Sequence, residues 1–224
     1  MTDLTIYSPY VITELYTTLS ILPKHMDNKI YLHLKERLKQ KVENKCYKNF
    51  GYISEVYKIL DYKDGMIEAE NMLAAAIFDV SFSCKVCIPI VGRIIIAKVK
   101  QINRLLITTE NGPILSVITN DRVNNQNFFV DNANNLRYKK DKKANTSEIL
   151  QPNDFVTIII DTVRFNNGDE AIKTIAFLNN IASDKEIEMY YKDIYVNHET
   201  KNTEINDKDL VATSVQVTAE VEKE

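Results

Sequence analysis

Residues 78–87 read FDVSFSCKVC, and this alternation constrains the fold more than any other feature of the chain. Phe78, Val80, Phe82, Cys84 and Val86 fall on one face of an extended strand, while Asp79, Ser81, Ser83, Lys85 and Cys87 fall on the other. Burying each large side chain of the first face contributes roughly 1.5–3 kcal/mol. A slip of one residue would turn the whole set to water, so the register is firmly held. The same stretch carries a C-x-x-C spacing, a common mark of zinc or dithiol chemistry. Residues three apart on a strand point to opposite faces, so Cys84 and Cys87 cannot both reach one tetrahedral ion. No second C-x-x-C and no histidine pair completes a ligand set, and no helical pattern follows Pro89 to activate a thiol. The thiols are read as structural, and neither a metal nor a cofactor is expected.

Around this strand the chain reads as an α+β arrangement. Residues 15–22 alternate as a strand that Pro23 ends. Ile30, Leu34, Leu38, Val42 and Cys46 then form a stripe at helical spacing, with Asp27 placed as an N-cap. The other faces of that helix carry Lys35, Arg37, Lys39, Lys41 and Lys45, a pattern read as solvated. Strands are expected over 50–59 and 66–70, with Asp64-Gly65 as the turn between them.

Past Gly92 the pattern changes to short strands over 94–102, 104–110, 114–119, 155–165 and 171–178. Asn111-Gly112 and Asn167-Gly168 are the hairpin turns. Five strands with one long connection between the third and fourth is the layout of an OB barrel. That connection, 120–151, is polar and includes RYKKDKK at 137–143; a short helix is expected over 183–192. The organisation predicted is an N-terminal domain over 1–88, a barrel over 89–192 with its insertion at 120–151, and an acidic tail over 193–224. Within the tail, Val211, Thr213, Val215, Val217 and Val221 keep a period of two that would suit an added strand.

Composition excludes several classes of function. The longest apolar runs are far shorter than the ~20 residues of a spanning helix, and the first residues lack the basic-then-apolar order of a signal peptide. An intracellular or intravirion protein with no membrane partner is expected, and three cysteines make no disulfide framework. The formal net charge is −3, of which −4 lies from His198 onward, leaving a body of about +1. That is too neutral for a dedicated high-affinity DNA binder, though weak RNA contact is compatible with it. The five glycines are isolated at 51, 65, 92, 112 and 168, so no phosphate-cradling loop exists. There is no H-E-x-x-H or G-x-S-x-G, and the pairs Glu68/Glu70 and Asp61/Asp64 read as solvated carboxylates. The chain is not expected to be an enzyme by itself.

Particular residues then carry a resemblance. Leu22-Pro23, Leu34-Lys35, Val42-Glu43, Cys46 and Phe50-Gly51-Tyr52-Ile53 match a strand ending in a proline loop, a helix with Leu-Lys, then Val-Glu-x-x-Cys and Phe-Gly-Tyr-Ile. The alternating strand runs on into Pro89 and Gly92, and Gly112-Pro113 matches a Gly-Pro between barrel strands. On these residues the chain resembles the stalk subunit of cellular RNA polymerases: the seventh subunit of eukaryotic polymerase II, its counterparts in polymerases I and III, and its archaeal counterpart. The similarity runs over about residues 12–192 and departs at PKHMDN, at ENMLAAA, at Arg93, in the polar connection and in the tail.

The resemblance implies a truncated RNP-like domain (strand, helix, three strands) followed by a five-stranded OB barrel. It implies a non-catalytic subunit of a DNA-directed RNA polymerase that docks near the clamp of the core beside a small helical partner like the fourth subunit. Pro23, Lys24, His25, Met26, Glu70, Asn71, Met72 and Leu73 would make the core contact. The barrel would hold single-stranded nascent RNA weakly through Lys98, Lys100, Arg104, Phe128, Phe129, Arg137, Tyr138, Lys139 and Lys140, cations meeting phosphate and aromatics stacking on bases. Heavy use of Asn, Ile and Lys suits an AT-rich genome such as that of a large DNA virus encoding its own polymerase. The expected location is the nucleus, or a cytoplasmic viral factory and the virion. Two rival readings stay open: a free-standing OB-fold RNA-binding protein such as a translation factor, and a scaffold whose barrel binds only protein.

Overall fold

The computed structural model describes residues 6–69, 72–103, 105–131, 135–139 and 147–195. The tail predicted over 193–224 therefore falls almost wholly outside the described residues, as does its period-two stretch. Residues through Ile194 form one compact unit containing two principal hydrophobic cores and a smaller cluster.

The first core lies under a five-stranded antiparallel sheet. Its elements are β1 (Tyr10–Ile21), α1 (Ile30–Val42), β2 (Lys45–Cys46), β3 (Tyr52–Tyr62), β4 (Met66–Ile67) and β5 (Ala76–Cys87). The order across the sheet is β1-β5-β3-β2, with the short β4 also on β5. β1 and β5 pair without a break from Tyr10 opposite Cys87 to Ile21 opposite Ala76. β3 is less regular, slipping register against β5 between Ile53 and Glu55, Val56 and Lys58, and Ile59 and Asp61. Each bulge inserts a residue, which explains why its buried positions, Ile53, Val56 and Ile59, recur every three residues rather than every two. α1 covers this face with Tyr31, Leu34, Leu38 and Val42, burying them against Leu15, Leu19, Phe78, Val80 and Phe82.

The local outcomes refine several sequence expectations. Asp27 does not cap the helix: Lys29 takes that position, and the Asp27 carboxylate, two residues too early, accepts the Lys29 N–H at 2.9 Å. The stripe also ends before Cys46, because the chain leaves the helix at Glu43 and Asn44 turns with φ 59° into β2. The strand expected over 66–70 shortens to Met66–Ile67, both exposed.

The second core fills a closed barrel. β6 (Ile94–Ile102), β7 (Leu106–Asn111) and β8 (Ile114–Thr119) form a meander. After the insertion, β9 (Phe128–Val130), β10 (Leu136–Lys139) and β11 (Ser147–Ile149), the chain returns as β12 (Phe155–Arg164), β13 (Ile172–Ile181) and α2 (Asp184–Tyr195). The closed order is β12-β13-β8-β7-β6, with β6 and β12 antiparallel and β13 and β8 parallel. This is the Greek-key path of an OB fold, so the chain is an α+β protein containing an OB barrel. The structure differs from the expectation of a plain polar connection at 120–151: β9, β10 and β11 form a small antiparallel sheet there. Val123, Phe128 and Leu150 bury into the barrel core and give this polar segment its anchors. Beyond the barrel, the Ser183 N–H donates to Glu186 Oε2 at 2.6 Å, half of a capping box that starts α2.

β5 serves both cores. Cys84 belongs to the first and Cys87 to the second, so the two thiols of the C-x-x-C lie on opposite sides of one strand. Between them Lys85 is buried, with its Nζ donating to the carbonyls of Asp193 at 2.7 Å and Ile194 at 3.5 Å and lying 4.9 Å from the Tyr10 ring centre. An ammonium at the carbonyl end of α2 offsets the negative pole of that helix and links it to the sheet.

Candidate functional site

Two surfaces collect the residues singled out from sequence. The first is the end of the five-stranded sheet where β1 finishes at Ile21 opposite Ala76 and β4 pairs Met66 with Ile77 and Ile67 with Ala76. That register brings three segments together: the loop after β1, β4 itself, and the residues leading into β5. Pro23–His25 fold as a single 3-10 turn, held by the His25 N–H to the Leu22 carbonyl at 2.9 Å and the Met26 N–H to the Pro23 carbonyl at 3.1 Å. Leu22, Met26, Met66, Ile67, Met72 and Leu73 are all exposed here, Met72 completely. Single exposed apolar residues are ordinary, but six at one end of a sheet make a candidate interaction surface. Of the expected contact residues, Pro23, Lys24, His25, Met26, Met72 and Leu73 lie at this end, whereas Glu70 and Asn71 fall outside the described residues. Sequence reasoning missed Met66 and Ile67, which read as an ordinary strand.

Beside the 3-10 turn, His25 and His33 rings approach to 4.8 Å between centres, and His33 Nε2 meets Asp27 Oδ1 at 3.3 Å. Backbone donation from Lys29, with the histidine beside it, holds the Asp27 carboxyl below the usual carboxylate range.

The second surface is the sheet of the insertion. Phe129, Arg137 and Ile149 sit directly opposite one another on β9, β10 and β11, one row on the outward face. Phe129 is 38% exposed and Ile149 39%. Phe128 points the other way and is 1% exposed within the barrel core, so it has no free face for a base. This corrects the expectation that both phenylalanines stack on RNA. Adjacent residues of a strand must diverge, and the phase of β9 decides which one is available.

Two of the cations expected to meet phosphate are ion-paired, and a third is bonded to a neutral carbonyl. Arg137 Nε donates to Asp131 Oδ2 at 2.8 Å, Lys100 Nζ pairs with Glu110 Oε2 at 3.1 Å, and Lys139 Nζ donates to the Gln126 carbonyl at 3.2 Å. Lys98 is half-buried on β6 between Phe155 and Glu110. Tyr138 donates from its hydroxyl to Glu148 Oε2 at 2.7 Å; burial first, and then that carboxylate, push its pKa up to about 12. Arg104 and Lys140 fall outside the described residues. Val130 and Ile149, exposed beside Phe129, were not foreseen, because strands of three residues give no readable alternation.

Burial pushes the Cys84 thiol up to about 12 and the Cys46 thiol up to about 11, and raises Cys87 as well, all away from the range of a reactive thiolate. Among the described residues no three His, Cys, Asp or Glu side chains gather as a metal site would require, and no helix is long and apolar enough to cross a membrane.

No protein-family model matches the chain. A protein named as a DNA-directed RNA polymerase subunit of Acanthamoeba polyphaga mimivirus is 31% identical over 186 residues, an overlap covering 83% of this chain and 90% of that one.

Proposed function

The chain belongs to the family of DNA-directed RNA polymerase subunits, and from that membership we propose that it is the non-catalytic stalk subunit of its enzyme. It partners other polymerase subunits; in this proposal it docks on the core near the clamp through the exposed end of its five-stranded sheet, beside a small helical partner chain. The observation that carries the reading is the cluster Leu22, Met26, Met66, Ile67, Met72 and Leu73. Such a cluster is costly to leave in water and is the kind of surface that a lasting partner covers.

The barrel then extends from that anchor and meets nascent RNA near its exit from the enzyme. Support comes from the exposed Phe129 row with Arg137 and Lys139 on an otherwise nearly neutral body. Such a surface suits weak, sequence-tolerant contact rather than tight binding. A nuclear or viral-factory location follows from the same reading.

The test is purification of the tagged full chain from its native source at moderate salt, with the accompanying chains identified by mass spectrometry. Recovery of the two large catalytic subunits and a small helical chain is the expected result, and Met72→Glu should reduce it. Recovery of the wild-type chain alone, or with ribosomal proteins, would overturn the stalk reading in favour of a free RNA-binding module.

A further inference from the structure

Behind the 3-10 turn lies a cavity of about 320 Å³ lined by Ser20, Lys24, His25, His33, Arg37 and Gln40, with Glu36 at its side. Its charge is unbalanced. Among the described residues neither Lys24 nor Arg37 has an ion-pair partner, and His33 already meets Asp27. Glu36, the single carboxylate of the lining, is engaged by Gln40 Nε2 at 3.5 Å. The helix that forms the wall adds to this field, because Lys35, Arg37, Lys39 and Lys41 stand on α1 against Glu36 alone.

We propose that this cavity is a socket for an acidic side chain presented by another subunit of the polymerase. The inference rests on the docking reading above and gives that contact its chemistry. The guanidinium of Arg37 supplies a planar fork suited to a carboxylate, the ammonium of Lys24 a second charge, and Ser20 and Gln40 neutral donors. Size favours a single side chain, since the cavity lies at the small end of ligand sites. No Phe, Tyr or Trp lines it, and its aliphatic lining is Ile21 and Leu22. Those neighbours match a carboxylate set in an apolar protein surface, whereas a nucleic acid would have only the two histidine rings, already set against each other at 4.8 Å, to stack on. The apolar cluster supplies contact area, and the socket fixes register and excludes wrong partners.

The experiment compares full-length tagged wild type, Lys24→Glu/Arg37→Glu and the control Lys39→Glu for recovery of the core polymerase, with and without ribonuclease. Lys39 is exposed on the same helix but outside the cavity lining. Melting curves matching wild type establish that each variant is folded, and Arg37→Gln gives a milder second probe. Loss of recovered core on the order of tenfold in the double reversal, with little change in Lys39→Glu, is the expected result. Equal recovery from wild type and the double variant would overturn the socket while leaving the docking reading intact. Equal losses in the control would replace the socket with a diffuse field. A difference that disappears after ribonuclease would make RNA the occupant. Failure of the wild type to bring any catalytic subunit would overturn the docking reading and the socket with it.

Discussion

The adjacent residues Phe128 and Phe129 offer the sharpest test of the proposal that the barrel meets RNA. Phe128 is 1% exposed and packed in the barrel core, so Phe128→Ala removes a full aromatic side chain and leaves a cavity, costing about 3–5 kcal/mol of stability. Phe129 is 38% exposed on the outward row with Arg137 and Ile149, and Phe129→Ala should cost only about 0.5–1 kcal/mol, the scale of a cross-strand pair. If one base stacks on that ring, its loss removes about 1–3 kcal/mol of binding, which weakens the complex roughly 5- to 150-fold. Urea unfolding followed by circular dichroism gives the first quantity. Fluorescence anisotropy with a labelled oligouridine gives the second. A salt series on wild type should show a weakening of roughly 20- to 50-fold between about 50 and 200 mM, the response to three or four neutralised phosphates. The reasoning is refuted if Phe129→Ala binds oligouridine as wild type does, or if binding is insensitive to salt.

Three further outcomes follow from the geometry. Gly112 has φ +53°, and a Cβ there would lie 2.1 Å from the Tyr10 hydroxyl. Gly112→Ala should therefore lose on the order of 2–4 kcal/mol, from the left-handed backbone, the displaced ring and the broken Tyr10 hydrogen bond to Asn111; a urea midpoint near wild type would rule out the close approach. The three buried thiols, all with raised pKa, should remain unlabelled by Ellman's reagent in the folded protein at mildly alkaline pH and react together on denaturation; rapid labelling of native protein would contradict their placement in the cores. For Tyr138 the folded pKa stands at about 12, above the ordinary ~10. Between those values the unfolded chain gives up a proton that the folded chain retains, so this residue costs stability as pH rises through the window. Tyr138→Phe should show a shallower loss than wild type over that range, and identical slopes would count against the hydroxyl's bond to Glu148.

What the sequence made legible depended on whether a pattern was longer than the irregularities imposed on it. β5 could be read at once because ten residues alternate without interruption, and that alternation also dissolved the C-x-x-C motif. The structure sends Cys84 and Cys87 into separate cores. α1 was readable for the same reason, its stripe running over several turns. β3 was readable only as a strand, because three bulges give its buried residues a spacing of three, a period belonging to neither strand nor helix. The insertion sheet was not readable at all: its strands are three or four residues long, set in a polar segment, and held by single anchors distant in sequence from the barrel residues they touch.

The candidate surfaces follow the same logic, one step removed. A side chain becomes available to a partner through the phase of its strand and the register of its neighbours, and neither is a property of the residue itself. Phe128 and Phe129 are chemically identical and adjacent, yet one is core and the other surface. The exposed tip is a similar case, since Met66 and Met72 share one end of the sheet with Leu22 and Met26 only because β1 ends opposite Ala76 and β4 pairs on the other edge of the same residues. In the basic socket the composition of α1 is plain in the sequence, but the sequence read it as a solvated face. What changes that reading is the 3-10 turn, which sets Lys24 and His25 across from Arg37 and His33 around one cavity. Charge spread along an open helix converges on a common point when two segments border one pocket. Reversal of Lys24 and Arg37 therefore has a different expected effect from reversal of Lys39, although all three are exposed cations in the same region.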